Sequence, residues 1–542
     1  MNTAATRRWL RVTIVGSYLG ASVIAARMAL DAGMTWDEPW HLEYGNLVLA
    51  WFRSGFKDRS AMEYRDLYLY GGLFDLPAQW IVNSGLSPWG PYETRHVLTA
   101  LTAVLGVVAT HLTAARIAGQ LAGVMAALTL IFTPTWVGHG FFNPKDVPFA
   151  AATAFVAYAT VRIAMFRGLP RARDIIFTGV ALGAALGVRP GGIFLCAFPL
   201  LAILGRTALR ILARRQQQRP LRLPVLCWSI LWRVGLGLLL TWPIMLSAWP
   251  WAQLRPFKRP LKAAARAARF EWTGSVWFQG TMIPADALPW TYLPTWFAIT
   301  IPETYVWSAL AILLCFLWYR RERPRTNHVL AVGALSAFIV LPLIGVLVAR
   351  PVIYDAHRHF LFFWPPMAAL CGVALGRVME QSQLPSWFRR GVAAAWLLLA
   401  LVTTADMVEL HPYEYVYFNR MSGGLAANVR SYEIDYWGAT YREGLSWIVE
   451  QTARQGTRLE PVRVAGCVGS EDTLAYYASH WRRGDAPILE PTEEKRADYY
   501  LAVSRSGCRA PRRRQLVHKV SRQRGDLLYV YERIRKHKPR PP

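Results

Sequence analysis

Repeated apolar runs, each about 17 to 25 residues long, constrain this chain more than any other feature of its sequence. One soluble core does not need such runs, whereas an α-helix of about 20 apolar residues crosses the hydrocarbon core of a bilayer. Hydrophobic residues make up 54% of the chain, and its mean hydropathy is +0.20. We therefore expect a polytopic α-helical membrane protein.

Eleven membrane crossings are predicted from the apolar runs. The least certain pair of runs is separated by Arg189-Pro190-Gly191-Gly192, which either closes a tight turn or breaks one long helix. The first run resembles a signal peptide but lacks a convincing small-residue cleavage site, so it is taken as the first helix. The predicted spans are 12–30, 97–115, 118–137, 147–166, 175–188, 190–205, 226–249, 297–319, 328–349, 358–378 and 391–406.

The formal net charge of +27 comes mostly from arginines between the apolar runs. A cytoplasmic N-terminus places these basic groups in the cytoplasm, as the positive-inside rule requires, and the opposite orientation would export them. The arginines are thus expected to contact membrane lipids rather than nucleic acid. The cytoplasmic groups include Arg7, Arg8, Arg11, Arg116, 162–173, 206–222, 320–325, Arg377, Arg389 and Arg390. The outer segments are 31–96, 138–146, 189–192, 250–296, 350–357 and the tail after Asp406.

Two domains are expected: a transmembrane domain over 1–406 and an extracytoplasmic α/β domain over 407–542. In the second, short strands are predicted at 462–468, 499–504 and 527–531, with helices near 443–455 and 472–480 between them. Cys467 and Cys508 lie in this domain, where an oxidising compartment would permit a disulfide; two free buried thiols are the alternative.

The first outer segment carries the most suggestive chemistry. Asp37 and Glu38 follow the first span directly, and Pro39 suits the first position of a helix. Two adjacent carboxylates at the membrane surface repel each other, which favours one of them as a proton acceptor. Acids at a helix N-terminus are also favoured by the helix dipole alone, without any catalytic role. Helices over 38–52 and 73–82 are expected to lie in the membrane interface.

Four segments near predicted outer helix ends carry a recognisable pattern: 36–41, 139–149, 355–360 and 411–419 with 435–438. They resemble the C-type (GT-C) membrane glycosyltransferases, particularly glycosyltransferase family 39. That family includes the protein O-mannosyltransferases and the bacterial enzyme that adds aminoarabinose to lipid A. In place of the His-Pro-Pro element of many members, this chain has Tyr70-Gly71-Gly72, which leaves the donor sugar and the acceptor geometry open.

The resemblance implies a GT-C-like bundle in a bacterial plasma membrane and an inverting transfer from a sugar carried on a polyprenyl phosphate. Asp37 matches the base that takes the acceptor's proton, with Glu38 as the second choice. The phosphate leaves as a stable anion, so cations must meet its charge but no general acid is needed. Candidate phosphate partners are Lys145, Arg358 and Arg189, and candidate substrate-binding residues are His139, Asn143, Asp146, Asp75, His359 and Tyr354.

Each candidate cation also has a purely structural interpretation. Lys145 next to Asp146 could form a local ion pair, and Arg358 could pair only with Asp355. Arg189 could be a turn residue that only extends its charge to the membrane interface. In the same way, the side chains that follow the third span could serve only loop backbone groups; these are His139 and Asn143.

No P-loop, GxSxG or HExxH pattern appears, and no Cys/His spacing of a zinc site. No obligatory nucleotide or other cofactor is expected, and a divalent metal is left open. The expected partners are a polyprenyl-linked sugar, a lipid, glycan or protein acceptor, and membrane lipids. A transporter is the main alternative, but it would carry ionisable groups near the bilayer midplane and repeated halves. A lipid-binding assembly factor without catalysis is the third interpretation.

Overall fold

The computed structural model describes residues 3–166, 168–218, 220, 223–267, 270, 272–318, 326–455, 461–467, 469–481, 488–505, 508 and 511–534. The basic group at 320–325 lies outside these residues. Long apolar helices make up most of the described chain, with β-strands in the segment 250–296 and in the tail.

The helices are α1 (Thr3–Ala29), α2 (Glu38–Arg53), α3 (Asp75–Asn83), α4 (Pro91–Ile131), α5 (Pro134–Phe142), α6 (Asp146–Met165), α7 (Ala172–Leu186), α8 (Ala197–Gln216), α9 (Leu223–Leu246), α10 (Pro250–Gln253), α11 (Lys258–Ala267), α12 (Tyr292–Thr300), α13 (Glu303–Trp318), α14 (Thr326–Ala349), α15 (Trp364–Glu380), α16 (Ser386–Leu410), α17 (Gly424–Asn428), α18 (Tyr441–Arg454) and α19 (Glu471–His480). The strands are β1 (Ser275–Phe278), β2 (Thr281–Pro284), β3 (Val462–Gly466), β4 (Leu489–Pro491), β5 (Tyr499–Val503), β6 (Arg514–Arg522) and β7 (Gly525–Arg533).

Eight helices within the described residues are long and apolar enough to cross a membrane, or up to nine if a sharply bent pair is one span. In α1 and in α9, only 6% of the apolar stretch is buried within the protein. Most of the apolar surface of these two helices is therefore uncovered by protein and needs another apolar environment. Leu19, Leu239 and Val348 are 65%, 67% and 80% exposed. The chain is an integral membrane protein, while the predicted number of eleven crossings is not confirmed.

The long helix α4 reverses direction in its middle. Ala118 and Gly119 have non-helical backbone, and Gly119 has φ +89°, which a side chain would strain. A Cβ on Gly123 would lie 2.8 Å from the Cβ of Ala115, so the chain after the break folds back on the chain before it. The two arms of this helical hairpin correspond to the predicted spans 97–115 and 118–137, and the second arm runs back alongside the first.

The predicted span 297–319 is broken. α12 and α13 meet at an angle of 91°, and Pro302 lies between them. Because proline has no backbone N–H and clashes with the preceding turn, a straight helix cannot run through this position. At the other uncertain point, α7 and α8 are separate helices with a 3₁₀ turn over Pro190–Cys196 between them.

The tail contains a five-stranded sheet in the order β4-β3-β5-β7-β6. β3 is parallel to both of its neighbours, and β7 is antiparallel to both of its own. The three predicted strands correspond to β3, β5 and β7; Val468, at the predicted end of the first, lies outside the described residues. A disulfide joins Cys467, which follows β3, to Cys508, which follows β5.

The tail also contacts the beginning of the first outer segment. Arg442 Nη1 donates hydrogen bonds to the carbonyl oxygens of Leu30 and Ala32, at 2.9 and 2.8 Å. The backbone N–H of Met34 donates to the Tyr477 hydroxyl at 2.9 Å. The residues just after α1 are therefore held in place by residues about 400 positions later in the chain.

Candidate active site

The loop before α2, the start of α6 and the loop before α15 meet at one end of the helical bundle. Asp146 on α6 is ion-paired with Arg358 from the third segment. The charge of Asp37 acts on both Arg358 and Tyr354. Burial raises the pKa of the Tyr354 phenol, and Asp37 is among the charges that raise it further. These acidic and basic candidates therefore lie close together although the sequence separates them widely.

Asp146 is the centre of this cluster. Its Oδ1 accepts from Arg189 Nη1, and its Oδ2 accepts from Arg358 Nη1 at 3.2 Å. Asn143 Nδ2 donates to the same Oδ2 at 3.0 Å. Both arginines occupy this buried carboxylate, and the alternative local ion pair between Lys145 and Asp146 is not formed among the described residues.

Asn143 and His139 hold the start of α6. Asn143 Oδ1 accepts from the backbone N–H groups of Asp146 at 2.8 Å and Lys145 at 3.3 Å, which satisfies donors that a helix N-terminus leaves free. Asn143 Nδ2 lies 3.2 Å from His139 Nδ1, and His139 Nε2 lies 3.1 Å from the Tyr436 hydroxyl. Burial lowers the pKa of His139 to about 3, so this imidazole is neutral.

Arg358 is buried between two carboxylates and two aromatic rings. Arg358 forms an ion pair with Asp146 through Nη1, and its Nε lies 2.9 Å from Asp355 Oδ2. The alternative in which Arg358 pairs only with Asp355 is therefore wrong. Its guanidinium carbon lies 5.0 Å from the ring centroid of Tyr354 and 4.9 Å from that of Trp437. The other terminal nitrogen of Arg358, Nη2, has no hydrogen-bond or ion-pair partner among the described residues.

The loop that carries Asp355 has an unusual backbone. Asp355 and the following Ala356 have φ of +55° and +59°, a left-handed conformation that costs about 1–3 kcal/mol for residues with a Cβ. Trp437 Nε1 donates to Asp355 Oδ2 at 3.2 Å, and Arg505 Nη2 lies 3.0 Å from Oδ1. These contacts, with that of Arg358, compensate for the strained backbone and fix the position of the carboxylate.

Lys145 is the cation with the fewest partners in this cluster. Its ammonium nitrogen lies 5.0 Å from the ring centroid of Tyr70, a cation–π distance. No ion pair or side-chain hydrogen bond joins this ammonium to any residue that the structure describes. The hydrogen-bonding capacity of Lys145 is therefore not used by the described residues, beside an arginine pair that is already fixed.

Asp37 and Glu38 differ in their surroundings. Glu38 is 1% exposed; its Oε2 accepts from the Thr35 backbone N–H at 2.8 Å, and its Oε1 lies 2.7 Å from His96 Nε2. Asp37 is half-buried and precedes α2 without capping it through its side chain. No hydrogen bond or ion pair occupies its carboxylate among the described residues. Glu38 thus stabilises the loop, while Asp37 is free to act on a ligand.

Asp75 is occupied by protein groups. Its carboxylate is buried, lies 3.2 Å from His41 Nδ1 and forms an ion pair with Arg95. Burial alone would raise the pKa of Asp75, but His41 and Arg95 outweigh that effect and hold it below its usual range. Asp75 therefore ties α2, α3 and α4 together.

Tyr354 and His359 form the aromatic side of the cluster. The Tyr354 ring stacks on Trp272 with centroids 4.3 Å apart and an interplanar angle of 20°. His359 meets the edge of the Tyr354 ring at 4.8 Å, and the charges of Arg358 and Asp146 both act on it. Flat, stacked rings next to charged groups are suited to contact the face of a sugar.

Arg505 was missed by the sequence analysis. It follows β5, and its guanidinium donates to the Tyr436 carbonyl oxygen and forms an ion pair with Asp355. Its guanidinium carbon lies 4.9 Å from the Trp36 ring centroid. One arginine in a basic tail carries no distinguishing pattern, and the only signal was its place directly after a predicted strand.

Arg505→Gln is expected to lower the melting temperature, because Asp355 loses a charged partner and its loop can shift. The expected loss of folding free energy is about 1–3 kcal/mol. Thermal unfolding in detergent would be measured, with the exposed Arg512→Gln as the matched control. If Arg505→Gln melts like Arg512→Gln, Arg505 does not position the loop.

No group of three or more His, Cys, Asp or Glu side chains is arranged to hold a metal ion in the part of the chain that the structure describes.

No protein-family model and no curated protein matches the chain. Among solved structures, it is similar to ArnT from Cupriavidus metallidurans bound to undecaprenyl phosphate (TM-score 0.46, 14% identity, 96% of this chain and 98% of that one). It is also similar to the Archaeoglobus fulgidus oligosaccharyltransferase (0.44, 13%, 89% and 65%) and to arabinosyltransferase EmbB from Mycobacterium smegmatis (0.42, 14%, 76% and 41%). At TM-scores below 0.5, these likenesses assign neither a reaction nor a ligand to this chain.

Proposed function

We propose that the protein is an inverting GT-C-type glycosyltransferase that moves a sugar from a polyprenyl-phosphate donor to a lipid, glycan or protein acceptor outside the cytoplasm. One observation carries the proposal. The unoccupied carboxylate of Asp37 lies near a buried cationic cluster in which the Lys145 ammonium and one nitrogen of Arg358 have no hydrogen-bond or ion-pair partner among the described residues. A base and cations that remain available are the two requirements of this reaction.

The cations meet the charge that develops on the leaving phosphate. Lys145 offers a point charge, and Arg358 offers a directed N–H from a guanidinium that is already fixed on Asp146 and Asp355. Arg189 shares Asp146 with Arg358 and adds positive charge. Because these groups are held before a ligand arrives, little reorganisation is needed during transfer.

Asp37 accepts the proton of the acceptor hydroxyl. The acceptor oxygen forms a bond to the anomeric carbon while the bond from that carbon to the donor phosphate oxygen breaks. The electron pair of the broken bond stays on the polyprenyl phosphate, and the proton is left on Asp37. Attack opposite to the leaving group inverts the anomeric configuration. Glu38, His139, Asn143 and Asp75 support the surrounding structure rather than react.

The donor class rests on the sequence segments that resemble family 39 and on the cationic cluster. ArnT binds undecaprenyl phosphate in one solved structure, and the Archaeoglobus oligosaccharyltransferase AglB is in complex with a dolichol phosphate in another. The proposed donor has the same chemistry. The transporter alternative is disfavoured because the ionisable cluster lies at helix ends and not at mid-helix positions.

The full-length protein in nanodiscs would be given radiolabelled sugars on polyprenyl phosphate together with lipid, glycan and peptide acceptors. We expect label to move to one acceptor class, with inversion at the anomeric carbon. A panel of hexosyl, pentosyl and amino-sugar donors would identify the sugar. Binding of every donor without transfer to any acceptor would favour the assembly-factor alternative and contradict the proposal.

Lys145→Gln is expected to reduce kcat/KM for the donor about 100-fold, because it removes the unpaired cation that meets the phosphate. The melting temperature should hardly change, since Lys145 has no ion pair with any described residue. The measurement is steady-state transfer against donor concentration. Lys57→Gln, an exposed lysine in the first outer segment, is the matched control. Equal kinetics in both variants would exclude Lys145 from phosphate binding.

A further inference from the structure

A cavity of about 400 Å³ opens at the far end of α6 from the candidate active site. Sixteen residues separate Asp146 from Arg162 on this helix, which corresponds to about 24 Å at 1.5 Å per residue. The cavity therefore lies toward the opposite membrane face, where α4, α6 and α7 approach each other. Its walls are formed by Arg116, Tyr158, Arg162, Phe166, Arg173 and Asp174.

The cavity has an excess of positive charge. Three guanidinium groups face one carboxylate, and Asp174 is engaged by Arg162 in an ion pair. The guanidinium of Arg162 is further held over the Tyr158 ring, 5.5 Å from its centroid. Arg116 and Arg173 are exposed, and neither has an ion-pair or hydrogen-bond partner in the described part of the chain. The positive charges of Arg116 and Arg173 are therefore not neutralised by the described residues. They lie beside Arg162, which its ion pair holds in place.

We propose that this cavity binds the phosphate group of an anionic membrane lipid. The cavity lies where membrane-crossing helices end, which is the depth of lipid headgroups. Basic cavities between such helices on the cytoplasmic side are suited to phosphate headgroups, and the volume is in the range of small-ligand sites. The rings of Tyr158 and Phe166 provide apolar walls for the part of the lipid beyond the phosphate. The cavity is remote from the transfer site and is proposed independently of it.

Delipidated full-length protein would be titrated with phosphatidylglycerol and phosphatidylcholine and followed by native mass spectrometry. The test variant is Arg116→Gln/Arg173→Gln, which leaves the Arg162–Asp174 ion pair intact. The control is Arg210→Gln/Arg215→Gln, which removes the same charge from exposed positions at the end of α8, outside the cavity. We expect the test variant to bind phosphatidylglycerol about tenfold more weakly than wild type and the control to bind normally.

A parallel titration with inorganic phosphate distinguishes the two sources of a phosphate group. Thermal stabilisation of wild type by phosphatidylglycerol, with no effect of millimolar phosphate, supports the lipid. Stabilisation by inorganic phosphate without lipid would assign the cavity to a soluble phosphate and overturn the lipid proposal. Equal loss of lipid in the test and control variants, or equal binding of both lipids by wild type, would also overturn it. Unchanged melting of the test variant shows that it is folded.

Discussion

Asp37→Asn is expected to abolish measurable transfer while leaving folding and membrane insertion intact. The amide has nearly the same size as the carboxylate but cannot accept the acceptor's proton, and loss of a general base costs about 10²- to 10⁴-fold in rate. Stability should be retained because no hydrogen bond or ion pair uses this carboxylate within the described residues. The measurement is kcat with labelled donor, together with donor binding and thermal unfolding.

Two further variants show whether the effect is specific to Asp37. Asp66→Asn changes an exposed carboxylate in the same outer segment and should leave transfer unchanged. Glu38→Gln should lower the melting temperature, because Glu38 accepts from the Thr35 backbone and contacts His96. Full transfer by Asp37→Asn would exclude Asp37 as the base. Lost transfer with lost donor binding would instead indicate a role in binding.

Asp146→Asn is expected to destabilise the folded protein by about 3–5 kcal/mol, the cost of removing one partner from a buried ion pair. Arg358 is 3% exposed and would keep only Asp355, while Arg189 would lose its only ion-pair partner among the described residues. The two guanidinium groups would then repel each other without a carboxylate between them. Thermal unfolding in detergent measures the change, and transfer should fall with it.

The control for this variant is Asp286→Asn, an exposed carboxylate just after β2 that forms no ion pair with any residue the structure describes. Its melting temperature should equal that of the wild type. If Asp146→Asn also melts like the wild type, the bridge between Arg189 and Arg358 contributes little to stability. The cations would then be held by Asp355 and the aromatic rings instead.

Most of the helical architecture could be predicted because a membrane span has a length and an apolarity that sequence shows directly. The exact number of crossings could not, since the break between α12 and α13 and the reversal at Gly119 depend on single residues inside apolar runs. β4 has three residues, and β6 has a polar sequence at the edge of the sheet, so neither has the alternating pattern of a strand. The domain boundary at 406–407 stays a proposal.

The sequence was sufficient to predict three site residues, because each lies in a segment with a family resemblance and at a predicted outer helix end. These are Asp37, Lys145 and Arg358. The sequence ranks Asp37 above Glu38 only through that resemblance, since the physical difference arises from contacts with Thr35 and His96 that only folding creates. The bridge through Asp146 and the contact of Arg505 with Asp355 join residues up to 212 positions apart, and no local pattern predicts such pairs.

The contacts between the tail and the earlier segments have a consequence for biosynthesis. Trp437, Arg442 and Arg505 are synthesised after the long apolar helices, the last of which ends at Leu410, yet they fix Asp355 and the backbone that leads to Asp37. A nascent chain can insert its helices long before these contacts exist. The proposed activity would therefore require the chain to be synthesised through Arg505, and a product that stops before Trp437 would stay in the bilayer without that activity.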